Sequence, residues 1–106
     1  MDDKKSGKVK SIIQEAAAKF FQLESNKTSM ITITRVELAE RGKRADIFFT
    51  VFPEDKEDDV IDFAKRKRSE LREFLMKETG LQIVPFVDVK LDVGEKNRQK
   101  LDSLKI

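Results

Sequence analysis

Four consecutive cations, Lys65, Arg66, Lys67 and Arg68, followed by Ser69 and then Arg72, are the part of this chain best suited to grip another molecule. They interrupt an apolar helical pattern, with Val60, Ile61, Phe63 and Ala64 before them and Leu71, Phe74 and Leu75 after. A helix that buries one unbroken stripe wants an apolar residue three or four positions beyond Ala64, and Lys67 and Arg68 stand there instead. Either the helix bends and turns its charges outward, or this is an ordinary solvated surface. Lys65, Arg68 and Arg72 recur at helical spacing, so they line one face, flanked by Arg66 and Lys67. Such a row can contact successive phosphates. The competing reading is a surface run balanced by Glu70 and Glu73 through helical pairing. A second basic cluster, "RGKR" at 41–44, adds Lys43 and Arg44 in a turn.

Other chemistries have little to work with. The chain has no His, Cys, Tyr or Trp. The commonest general base, the commonest transition-metal ligand and the best thiol nucleophile are therefore missing together, which argues against an enzyme and against a cofactor or metal. The acidic stretch "EDKEDD" at 54–59 suits a helix N-terminus, where carboxylates meet the positive end of the dipole, and needs no magnesium to explain it. Phe48, Phe52 and Phe86 fall on one sheet face if strand alternation holds. They are expected to be covered by Leu101, Leu104 and Ile106 or by a partner rather than to stack on bases.

At 106 residues the chain is one domain, and with 39% apolar residues and eight Phe it is expected to fold. Net charge is only +2, but the charge is clustered, which suits a local meeting with a polyanion. The first residues, "MDDKKSGKVK", lack a signal-peptide apolar run, and no stretch approaches membrane-spanning length, so a soluble cytoplasmic protein is expected, with no membrane partner.

The elements that must position these residues follow from periodicity. Val9, Ile12, Ile13, Ala16, Ala17, Phe20 and Leu23 predict a helix over 7–24. Alternation from Met30 to Leu38 predicts a strand, but its parity changes between Ile33 and Val36, which predicts an irregularity at Thr34 or Arg35. Gly42 is the expected positive-φ residue of a hairpin turn into a second strand, Ala45 to Phe52. Pro53 ends that strand, two helical segments run to about Glu78 with Gly80 as their stop, and a third strand follows Pro85. The predicted fold is α+β, order α-β-β-α-α-β, with helices on one face of a three-stranded sheet. Residues 1–6 are expected to be a flexible N-terminus, 7–93 the domain, and 94–106 a tail with a possible short helix.

That order is the order of a type II KH domain, and the details resemble the ribosome-binding factor A family. "ITITRVELAERGKRADIFFTVF" is similar to that family's first hairpin, and "SELREFLMKETGLQIVPFVDVKLD" to its second paired helix and Val-Pro strand. "SIIQEAAAKFFQLE" is similar to its N-terminal helix. The resemblance implies a monomeric, non-enzymatic factor that binds the immature small (30S) ribosomal subunit and its rRNA and assists 16S rRNA maturation. It also implies a helical kink in place of the KH Gly-x-x-Gly loop, carrying Ala-x-Gly in the family. Here Lys67, Arg68 and Ser69 occupy it, so a gentler bend is expected. The resemblance makes the kink at Lys67, Arg68 and Ser69 the RNA-facing site, and with Lys65, Arg66 and Arg72 from the basic row and Lys43 and Arg44 from the turn these are the expected RNA-binding residues. The alternative is a protein-interaction module using the sheet Phe face.

Overall fold

The computed structural model of the chain describes residues 3–25 and 27–104. Its elements are α1 (Asp3–Glu24), β1 (Met30–Ala39), β2 (Arg44–Phe52), α2 (Glu57–Arg66), α3 (Arg68–Glu78), β3 (Phe86–Leu91) and α4 (Val93–Leu104). The sheet has the order β1-β2-β3. A short turn makes β1 and β2 antiparallel, whereas the connection carrying α2 and α3 returns β3 parallel to β2. This is the type II KH-like order predicted from the sequence, with α4 added at its end. Part of the expected flexible N-terminus, Met1 and Asp2, lies outside the described residues, and α1 begins at Asp3.

Side-chain alternation divides the sheet cleanly. Ile33 and Val36 of β1, Ala45, Ile47, Phe49 and Val51 of β2, and Val89 of β3 are buried beneath the helices. Burying this many branched and aromatic side chains, at about 1.5–3 kcal/mol each, is what holds the layers together. From α1 the core receives Ile13, Ala16, Ala17, Phe20 and Phe21. Leu23 was expected in that stripe and is exposed, while Phe21 is buried in its place. One helical residue is 100° of rotation, and Phe21, one turn beyond Ala17, continues the line that Leu23 leaves.

The parity change in β1 is a β-bulge: register passes from Ile33 opposite Phe49 to Arg35 opposite Phe48, leaving Thr34 unpaired. The bulge is held from both sides. Gln14 of α1 donates to the carbonyls of Ile33 and Thr34, each at 3.4 Å. On the outer side the Thr34 hydroxyl donates to Asp92 Oδ2 at 2.6 Å and Arg35 Nε donates to the same oxygen at 3.2 Å. The other oxygen, Asp92 Oδ1, accepts the Glu95 N–H at 3.1 Å and so caps the start of α4. Burial pushes the Asp92 carboxyl up, but Thr34, the Glu95 amide and Arg35 outweigh it, and its pKa lies below the ordinary aspartate value of 3.8.

One buried carboxylate thus ties β1, β3 and α4 together. Asp92→Ala is expected to lower stability by about 2–3 kcal/mol, the loss of a cap plus charge-assisted bonds. Because the folded pKa is depressed, the unfolded chain takes up the proton first as pH falls. The contribution of Asp92 is therefore complete above 3.8 and is lost as pH drops through the folded value. Urea midpoints of the two proteins, well separated at pH 7, should converge toward pH 2.

Two stops differ from their sequence expectation. Gly80 does not terminate α3: Thr79 takes an extended conformation (φ −118°, ψ 158°), and its hydroxyl donates to the Leu75 carbonyl at 2.6 Å. The Leu75 carbonyl also accepts the Thr79 N–H at 3.1 Å, so Thr79 closes the last turn with both its amide and its hydroxyl, and no left-handed residue is needed. In the β1–β2 turn, Glu40, Arg41 and Gly42 all have positive φ (54°, 59° and 84°), not Gly42 alone. The Lys43 N–H closes the turn on the Glu40 carbonyl at 3.1 Å.

The expected cover over the outer Phe residues is not formed. Leu101 and Leu104 are 61% and 78% exposed, and Ile106 lies outside the described residues. α4 is held instead by charge: Lys96 Nζ lies 2.9 Å from Glu57 Oε1 and 3.0 Å from Glu54 Oε1, and Lys100 Nζ 3.0 Å from Glu54 Oε1. Part of the acidic stretch at 54–59 is therefore engaged by α4 lysines.

Candidate nucleic-acid interface

The bend falls at Lys67, between α2 and α3 (φ −93°, ψ 5°). Its N–H is shared between the carbonyls of Phe63 (3.1 Å) and Ala64 (3.2 Å), and its own carbonyl accepts the Leu71 N–H at 2.8 Å. A negative φ is open to any L-residue, so this break does not require the glycine that Ser69 replaces, and Ser69 lies inside α3. Val60 and Ala64 are buried on one side of the break, and Leu71 and Leu75 on the other. Lys67 would fall on that same stripe in a straight helix. It resolves the conflict by snorkelling. Its ammonium lies 5.8 Å above the Phe63 ring, 3.1 Å from Glu70 Oε2 and 3.7 Å from Glu24 Oε2. The Glu70 hydrogen bond, opposed by burial and helped by the charges of Glu70 and Glu24, raises its pKa.

Lys65, Arg68 and Arg72 do form one row, and it lies along the edge strand β3. Lys65 Nζ (3.5 Å) and Arg68 Nη1 (3.2 Å) share Asp88 Oδ1. Arg68 Nε also donates to the Lys65 carbonyl at 3.0 Å, covering an acceptor left at the break. Arg72 has no carboxylate partner among the described residues: Nη2 donates to the Val84 carbonyl at 3.0 Å and Nε to the Pro85 carbonyl at 3.2 Å. Its guanidinium lies 4.4 Å from the centre of the Phe86 ring. The cations do not simply project from the bend; the Lys65 and Arg68 side chains remain 45% and 47% exposed beside Asp88. Burial raises the Asp88 pKa, and the Val89 amide, Lys65 and Arg68 more than reverse that, leaving it lowered and the carboxylate ionised at neutral pH. Arg66 and Ser69 are exposed. Arg66 borders a cleft of about 520 Å³ between the end of α1 and α2, on which Lys56, Asp59 and Asp62 also open.

The hairpin turn reaches the same strand from its other side. The Phe86 N–H donates to the Lys43 carbonyl at 2.9 Å, and Phe86 stands opposite Arg44 in the parallel register. Lys43 is exposed, and its ammonium has no partner among the described residues. Arg44 is partly neutralised: Nη2 donates to Asp46 Oδ2 at 3.3 Å, and Glu40 lies 3.4 Å from Nη1. Asp46 also meets Lys90 Nζ at 3.3 Å. The two basic clusters, more than twenty residues apart in sequence, therefore converge on the start of β3, on either side of Phe86.

Sequence reasoning did not single out Asp88, nor Phe86 as the meeting point. The signal for both was the two-helix connection, which is long enough for a crossover and so permits β3 to lie parallel to its neighbour. Nor do Phe48, Phe52 and Phe86 make a continuous apolar face. Phe48 lies under Arg35, whose guanidinium is 3.8 Å from the ring centre; Phe86 lies under Arg72; and Phe52 sits at the opposite end of the sheet beside Met30. Asp46 and Thr50 alternate between them on β2.

The fold has close likenesses among solved structures. The crystal structure of ribosome-binding factor A from Thermus thermophilus is similar at a TM-score of 0.72 with 16% identity, over 81% of this chain and 93% of that one. A homology model of the Thermus thermophilus ribosome-binding factor A, fitted into the cryo-EM map of a 30S complex with that factor, gives 0.66 and 17%, over 76% and 88%. A solution structure of a Thermotoga maritima protein gives 0.57 and 21%, over 80% of each chain. No curated protein sequence matches the chain. At these identities the structures speak for the fold alone, but the family model described as ribosome-binding factor A matches residues 5–105. By that match across almost its whole length, the chain belongs to the ribosome-binding factor A family.

Proposed function

We propose that this chain binds the immature small ribosomal subunit through its rRNA, as a monomer in the cytoplasm, and assists 16S rRNA maturation without catalysing any step. The observation that carries this reading is the convergence of the basic bend and the basic turn on β3. Arg72 and Lys43 are cations without carboxylate partners among the described residues, and Lys65 and Arg68 share a single carboxylate, so the strip keeps excess positive charge for phosphates. Lys65, Arg66, Arg68, Arg72, Lys43 and Arg44 are the proposed contacts; Ser69 is exposed beside them, and Lys67 contributes mainly by holding the bend. Such contacts fix position on a folded RNA by its backbone, so shape rather than base sequence selects the site. The 30S complex of the Thermus thermophilus factor supports the choice of subunit.

Co-sedimentation with purified small and large subunits across a salt series tests the proposal. Preference for the small subunit is expected, with log K falling against log salt at a slope near −4 for about five phosphate contacts. Salt-insensitive binding, or equal binding to both subunits, would overturn it. The purified chain is expected to leave precursor rRNA uncut in magnesium.

A further inference from the structure

We propose that Phe86 is a stacking platform for one unpaired RNA base, an inference that rests on the RNA-binding reading and adds a contact to it. Phe86 opens the edge strand and is 67% exposed, an arrangement that leaves a large apolar ring in water. The ring is held in place before any ligand arrives. Its backbone N–H is bound to the Lys43 carbonyl at 2.9 Å. On one side lies the Arg72 guanidinium, 4.4 Å from the ring centre and itself fixed by the carbonyls of Val84 and Pro85. Arg72 backs the ring, and the high exposure of Phe86 leaves room for a second planar group.

A base is the occupant that fits. A single ring offers far too little area for a protein interface, which needs about 800 Å² from each partner, but it matches one base. The positive charge of Arg44, the register partner of Phe86, on one side and of Arg72 and Arg68 on the other complements the phosphates that flank such a base. The other outer Phe residues lack this setting. Phe48 is only partly exposed beneath Arg35, and Phe52, though exposed, stands next to Met30 with no guanidinium against it among the described residues.

The test uses the full chain and a short single-stranded RNA carrying one 2-aminopurine, beside the same sequence fully paired. Wild type is expected to bind the single strand more tightly and to quench the 2-aminopurine. Phe86→Ala should weaken that binding by about 5- to 150-fold, the value of one stacked base, and abolish the quenching. Its salt slope should match wild type, since the phosphate contacts remain. Phe86→Tyr should restore both readouts, and Phe52→Ala should change neither. Unquenched binding, or Phe86→Ala behaving as wild type, would overturn the platform; if salt-dependent binding to small subunits persisted, the RNA-binding reading would survive. A Phe86→Ala defect on subunits but not on the oligonucleotide would also overturn it, as the mark of a ribosomal protein contact.

Discussion

Replacing Lys43, Lys65 and Arg68 together by glutamine is expected to weaken binding to small subunits about 100-fold at 0.1 M salt, from counterion release alone. Each phosphate contact contributes about 0.7 of a decade in affinity at that ionic strength, and removing three costs about two decades. The salt slope should become shallower by about two to three, a signature that a misfolded protein would not give. Stability should fall little, because the ion pairs broken are half-exposed and such pairs stabilise by about 0–1 kcal/mol. The informative partner is Asp88→Asn. If Lys65 and Arg68 serve only to neutralise Asp88, its removal changes nothing in binding. If the row meets phosphate, Asp88 competes with the ligand for both cations, and its neutralisation should tighten binding about three- to tenfold. Glutamine substitutions without effect on affinity or slope would remove this surface from the interface.

The largest expected loss of stability comes from Phe49→Ala, at about 3–5 kcal/mol. Phe49 is fully buried in the central strand, paired with Ile33 on one side and Leu91 on the other. Its carbonyl accepts the Asp92 N–H at 2.7 Å, where the chain turns from β3 into α4. Truncation leaves a cavity that α1 and α3 cannot close without giving up their own packing on the sheet. Since a domain of this size has a total of about 5–15 kcal/mol, the variant should lie near its unfolding midpoint in dilute urea. A lower midpoint with unchanged m-value would identify lost packing. Phe52→Ala, on the exposed face of the same strand, should shift stability by less than about 0.5 kcal/mol.

The sequence by itself determined the order of the first six elements, the irregularity at Thr34 or Arg35, the hairpin, the interruption of the apolar stripe by the basic run and the strand after Pro85. Each is written in a local period: two residues for a strand, 3.6 for a helix, and a visible fault where one gives way or shifts phase. Tertiary structure alone decided what the cations at the bend do. The parallel pairing of β3 sets Asp88 beside Lys65 and Arg68, aligns Phe86 with Arg44, and lets Arg72 stack on the same ring. Tertiary structure also left Leu101 and Leu104 uncovered. The reason is one of scale. Burial of a core stripe involves many kcal/mol summed over a repeating pattern, which the chain must encode along its length. The partner of a long, half-exposed cation is settled by about 1 kcal/mol between residues some twenty positions apart, and a difference that small leaves no period to read.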